Sequence, residues 1–121
     1  MRVIILLVIC SQSLLSFSQG QVEMNAIAQE HWYQSQKIKD SLILELKIIN
    51  KTDSTFVASF EASEKLWDTF VAEQFKLKFP AYESWETRRE VYGSQFDMLH
   101  FNFLKLYCDL RISTLYDLFE D

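Results

Sequence analysis

The chain has 121 residues, 49% of them hydrophobic, which is enough for one domain with a single real core. Its formal net charge of −5 argues against nucleic acid and against an anionic membrane surface, and suits a basic partner. With two cysteines set far apart, Cys10 and Cys108, a dense disulfide framework is excluded.

The first segment reads as an export signal over residues 1–18. Arg2 supplies the positive start, residues 3–9 form an unbroken apolar run, and Leu14 and Leu15 extend it past a Ser/Gln interruption. Ser16 and Ser18 place small residues at the two positions a signal peptidase reads, so cleavage is expected near Ser18–Gln19, with delivery to the periplasm or the medium. The run falls short of the about 20 apolar residues that span a bilayer. Bulky Ile9 before Cys10 argues against lipidation. Losing the leader removes Arg2 and no acid, so the charge moves from −5 to −6 and Cys108 is left as the single thiol of a domain over residues 19–121.

Beyond Gly20 the only strong breakers are Pro80 and Gly93, which points to long helices. Over residues 24–49, Ile27, Ile38, Leu42, Leu46 and Ile49 return at helical spacing, with Trp32 nearby. The polar cluster at 50–54 ends that helix, and Asp53 or Ser54 can cap the next. Phe56, Phe60, Trp67, Phe70, Val71 and Phe75 then mark the inner face of a second helix, which must stop near Pro80. The charge-rich stretch 81–92 can form a short helix with Tyr82, Trp85, Arg89 and Tyr92 on one face. A last long helix starts after Gly93, where Ser94 and Asp97 have capping-box spacing. It carries two apolar stripes: Phe96, Leu99, Phe103, Leu106, Leu110 on one side, and Phe101, Leu104, Cys108, Ile112, Leu115, Phe119 on the other. The expected fold is all-α: a small antiparallel three-helix bundle, with a short fourth helix between the second and third long ones.

Catalytic and metal motifs are lacking. His31 and His100 lie in no HExxH or nucleophile pattern, and Asp97 with His100 offers two metal ligands but no second pair. No cofactor and no metal are expected. Cys108 on its apolar stripe reads as a buried, inert thiol. In YESWETRREVY, Trp85 stands among charges at a chain reversal. Either it folds back over the end of the bundle, or Trp85, Arg88, Arg89 and Tyr92 form a partner-binding surface.

Residues 64–75, EKLWDTFVAEQF, pair a tryptophan with an aromatic one turn later, and Gly93-Ser94, Arg111 and Leu115 follow at matching intervals. This pattern resembles the LprI-type lysozyme inhibitor N-terminal domain family over roughly residues 24–119. Trp67, Phe70, Gly93, Ser94, Arg111 and Leu115 are its signature positions, with structural roles. The family's Arg-Asp after the aromatic is Val71-Ala72 here. The resemblance also implies that Phe75 and Phe103 jointly replace its two cysteines and therefore lie side by side. A disulfide is worth about 2–4 kcal/mol and a buried Phe about 1.5–3 kcal/mol, so the exchange is energetically sound.

With those two helices antiparallel, facing positions then add to 178. Trp67 faces Arg111, for a cation–π contact of about 0.5–2 kcal/mol; Phe70 faces Cys108 and Phe60 faces Leu118. What the resemblance implies is an exported, non-catalytic protein that binds a protein partner in the cell envelope, such as a lysozyme or another basic protein. The alternative is a helical-bundle module for a small apolar ligand or an unrelated envelope protein.

Overall fold

Among the described residues, runs without breakers become four helices: α1 (Arg2–Ile49), α2 (Ser54–Lys78), α3 (Trp85–Tyr92) and α4 (Phe96–Asp117). The computed structural model describes the backbone of residues 2–80 and 85–119 and the side chains of residues 20–80 and 87–119. Among them there is no strand, so the chain is all-α. The expected cleavage point near Ser18–Gln19 falls inside α1, on residues whose side chains lie outside the described set; Tyr82 lies outside it altogether. Among the described residues, no helix is long and apolar enough to cross a membrane.

The boundaries follow local chemistry. Asp53 is the N-cap of α2, its side chain accepting from the Phe56 N–H at 3.0 Å, a contact worth about 1 kcal/mol. That helix ends at Lys78, just before Pro80. Gly93 has a φ of +80°, its N–H returning to the Arg89 carbonyl at 2.8 Å to close α3 in a left-handed cap. Its own carbonyl then accepts from Phe96 N–H at 3.1 Å, which turns the chain directly into α4.

The expected Ser94–Asp97 capping box does not form. The helix starts after Gln95, which makes no side-chain cap, and Asp97 is engaged by Arg89. Instead Asn25 of α1 supplies the acceptor: its Oδ1 takes the Met98 N–H at 3.2 Å, and its Nδ2 donates to the Ser94 carbonyl at 3.1 Å.

Inter-helix bonds set the directions. Asn25 meets Met98 and Ser35 meets Asp109, sequence separations of 73 and 74, so α1 and α4 run parallel. On the other side, Phe75 meets Phe103 and Arg111 lies over Trp67, so α2 runs antiparallel to α4. The backbones of α1 and α4 approach most closely, because Ala28, Ser35 and Cys108 are small. Between α2 and α4 stand aromatic rings and an arginine, which hold those two helices further apart.

The core is split. Leu42, Leu46, Phe60 and Leu115 form one buried cluster near the α1–α2 turn. Phe79, Phe96 and Phe103 form another under α3. Between them lies a more polar waist. There Ser35 Oγ donates to Asp109 at 2.8 Å and Lys105 pairs with the same carboxylate.

Two expected apolar faces hold only in part: Leu42 and Leu46 of α1 and Phe96 and Phe103 of α4 are buried as expected, but the rest are not. Ile27, Ile38 and Ile49 are 55%, 49% and 60% exposed, because α1 turns its small positions Ala28 and Ser35 to α4 instead. On α4, Leu106 and Leu110 are exposed, since Tyr107 and Arg111 occupy the face toward α2.

Candidate functional site

The α2–α4 seam holds most of the residues singled out in the sequence. Helical spacing puts Glu64, Trp67, Phe70 and Phe75 along one side of α2. Arg111 arises from the facing side of α4 and is 7% exposed. Its guanidinium carbon lies 5.5 Å from the Trp67 ring centre, so the two side chains touch as the register of 178 requires. Glu64, a partner not foreseen, accepts from Arg111 Nε at 2.8 Å and also from Nη2. Ser63 and Thr114 hydroxyls complete the arginine's contacts, each at 3.3 Å. The sequence signal was present: Glu64 precedes Trp67 by one helical turn and so shares its face.

Higher on the seam, the Phe75 and Phe103 rings stand edge to face with centres 5.5 Å apart. Phe79 and Tyr107 pack against the same pair. Two other facing pairs differ from expectation. Phe70 meets Tyr107, at 6.0 Å, rather than Cys108. Phe60 packs on fully buried Leu115, while Leu118 lies half exposed past the end of the helix. Of the signature positions, Trp67, Phe70, Arg111 and Leu115 thus belong to this seam. Gly93 and Ser94 make the turn that feeds it.

Helix α3 folds over the upper cluster. Arg88 sits 4.6 Å from the Phe75 ring centre, and Tyr92 meets Phe79 edge-on at 5.2 Å and stacks on Phe96. Arg89 Nη2 pairs with Asp97 at 3.0 Å. Three of the four expected partner-binding residues therefore hold α3 to the rest of the molecule. The fourth, Trp85, opens that helix, but its side chain lies outside the described set.

His100 is enclosed by Phe75, Phe96 and Phe101 rings. Burial pushes its pKa down, nearby Arg88 adds to that, and Asp97 opposes it. Cys108 is buried, and that burial pushes its thiol pKa up while Lys39 pulls against it; the thiolate needed for nucleophilic chemistry is disfavoured. For Asp109, burial works to raise the pKa, but the hydrogen bonds from Lys105 and Ser35 win and hold the carboxyl below its ordinary range. Among the described residues, no three His, Cys, Asp or Glu side chains gather where they could share a metal ion.

The waist opens into a cleft of about 170 Å³ between α1, α2 and α4. Trp32, Lys39, Trp67, Asp68, Leu104 and Cys108 are among the residues that line it. Trp32 is stacked on Phe101 of α4 with ring centres 5.6 Å apart. Compared with protein-family models, characterised proteins and solved structures, the chain matches none.

Proposed function

We propose that the protein is an exported, non-catalytic three-helix bundle related to the LprI-type lysozyme inhibitor domains, acting by binding a protein partner in the cell envelope. The observation that carries this reading is the edge-to-face contact of Phe75 and Phe103, on the positions where the resemblance places the family's paired cysteines. Two residues that replace a cross-link must be neighbours, and these are.

A lysozyme is the first partner to consider. Its chemistry depends on two carboxylates flanking the bound sugar chain, so an inhibitor need only occupy the cleft and exclude substrate. The acidic charge of this chain favours fast encounter with a basic enzyme. Leu77, Leu106 and Leu110 expose apolar surface on the outer side of α2 and α4, which supports a protein-binding role.

The test is lysis of cell-wall substrate by lysozyme with and without the purified protein. A dose-dependent fall in lysis rate is expected. Unchanged lysis at large molar excess removes the lysozyme reading.

A further inference from the structure

The outer side of the α2–α4 seam carries an apolar stripe that stays in solvent. Leu77 and Leu66 are the two most exposed large apolar side chains among the described residues, at 74% and 71%, and Phe70 is the one exposed phenylalanine among them. Helical spacing puts these three on one side of α2, and exposed Leu106 and Leu110 on one side of α4. Leu77 and Leu106 line a common groove with Gln74 and Tyr107. Tyr107 meets the Phe70 ring and donates its hydroxyl to Gln74 at 3.4 Å, so the polar groups between the leucines are uncharged and bonded to each other. At the edge of α2, Glu73 and Lys76 pair at 2.9 Å.

We propose that this stripe is the contact of a symmetric dimer, covered by the same stripe of a second copy of the chain running in the opposite direction. A monomer seldom leaves so much contiguous apolar surface in water.

The charges at the two ends select this occupant. Lys78 lines the groove at one end, and Asp117 lies on the α4 side of the stripe, two turns beyond Leu110. In the register set by Phe75 with Phe103 and Trp67 with Arg111, Lys78 stands level with residue 100 of α4. Asp117 is then about 25 Å further along the helix axis. Halfway between them is the level of Phe70, and the four leucines fall on both sides of that midpoint.

A two-fold axis through the midpoint, perpendicular to the helices, lays leucine on leucine and brings Lys78 of each copy to Asp117 of the other. A parallel arrangement sets lysine beside lysine and aspartate beside aspartate, which disfavours it. Two such stripes face to face bury on the order of 1,000 Å², the low end for a specific interface, so the dimer is reversible with a Kd on the order of 10 µM. The inference does not rest on the lysozyme reading, and a dimer through this face competes with any other partner that uses it.

Sedimentation velocity of the full-length protein over about 1–500 µM tests this, with the mean mass expected to rise from one chain to two. Leu77→Glu and Leu106→Glu, both at exposed positions, should keep the helical circular dichroism and sediment as monomers throughout. Lys78→Glu and Asp117→Lys should each weaken the dimer about tenfold, since each reverses two ion pairs per dimer. Combining them exchanges the signs and re-forms the pairs, so the double variant should regain the parent Kd. One chain's mass at every concentration overturns the dimer, and a dimer indifferent to both leucine variants overturns its placement on this face. A double variant no tighter than the single ones overturns the antiparallel arrangement. Every readout is taken without lysozyme, so a monomeric protein leaves the inhibition reading untouched, and unchanged lysis leaves the dimer untouched.

Discussion

Asn25 of α1 caps α4 from outside that helix. Its Oδ1 accepts the Met98 N–H, the third residue of the helix, where an N-cap side chain would ordinarily bond. Its amide nitrogen reaches the Ser94 carbonyl, and Gln21 Nε2 donates to the same Oδ1 at 2.9 Å, which orients the group. One side chain thus satisfies an open helix end and sets the height of α1 against α4. Asn25→Ala should cost about 0.5–2 kcal/mol, the range for losing an N-cap, read from the urea midpoint at constant slope. Asn25→Asp keeps the acceptor, adds charge favourable to the helix N-terminus and loses the donor, so a smaller loss is expected. Equal stability of Asn25→Ala and the parent would show that the cap contributes nothing.

Arg111 and Glu64 form a largely enclosed ion pair, with side-chain exposures of 9% and 23%. Removing one partner strands the other charge, so Arg111→Met should destabilise by about 3 kcal/mol. The double variant Glu64→Gln, Arg111→Met should recover much of that loss, because neither site then holds an unpaired charge. Arg111→Lys should sit between the two, since an ammonium cannot give Glu64 the paired N–H groups while lying flat on Trp67. Strict additivity of the single variants in chemical unfolding would mean that the two residues do not act as a unit.

Much of this seam was legible in the sequence because helical spacing is strongly diagnostic. Phe60, Trp67 and Phe75 lie where periodicity puts them, and the antiparallel register follows once Phe75 and Phe103 are taken as neighbours. The α1–α4 contact was legible only at one end, where Leu42 and Leu46 meet Leu115 as their spacing predicts. Periodicity weights large apolar residues and so selected Ile27, Ile38 and Ile49, whereas close approach of two helices favours small ones, here Ala28 and Ser35. Polar contacts between distant segments, such as Asn25 with Met98 or Ser35 with Asp109, leave no local pattern at all. The cleft escaped for the same reason, because its lining comes from three helices.

Cys108 should behave as a structural thiol. It is 6% exposed, and burial raises its pKa, so little thiolate is present at neutral pH. In a Cys10→Ser background, a thiol reagent should modify the native protein at least about a hundredfold more slowly than the urea-unfolded chain, with the native rate tracking local opening. Rapid native modification would place Cys108 on an accessible surface and refute this packing.

His100 should make stability depend on pH in a defined direction. It is held among Phe75, Phe96 and Phe101, with Arg88 of α3 and Asp97 of its own helix as the charged neighbours. Burial is the largest influence and Arg88 reinforces it, so the folded-state pKa lies below the ordinary 6.5 despite Asp97. As pH falls through that ordinary value, the unfolded chain takes up a proton that the folded chain still refuses. Stability is therefore complete above it and declines as pH drops toward the folded-state pKa. Urea unfolding at pH about 7.5 and about 5.5 should show the parent weaker at the lower value, in a window where most carboxylates stay ionised. His100→Gln cannot be protonated there, so its two midpoints should lie closer together than the parent's. An undiminished difference in the variant would assign the pH dependence to another group.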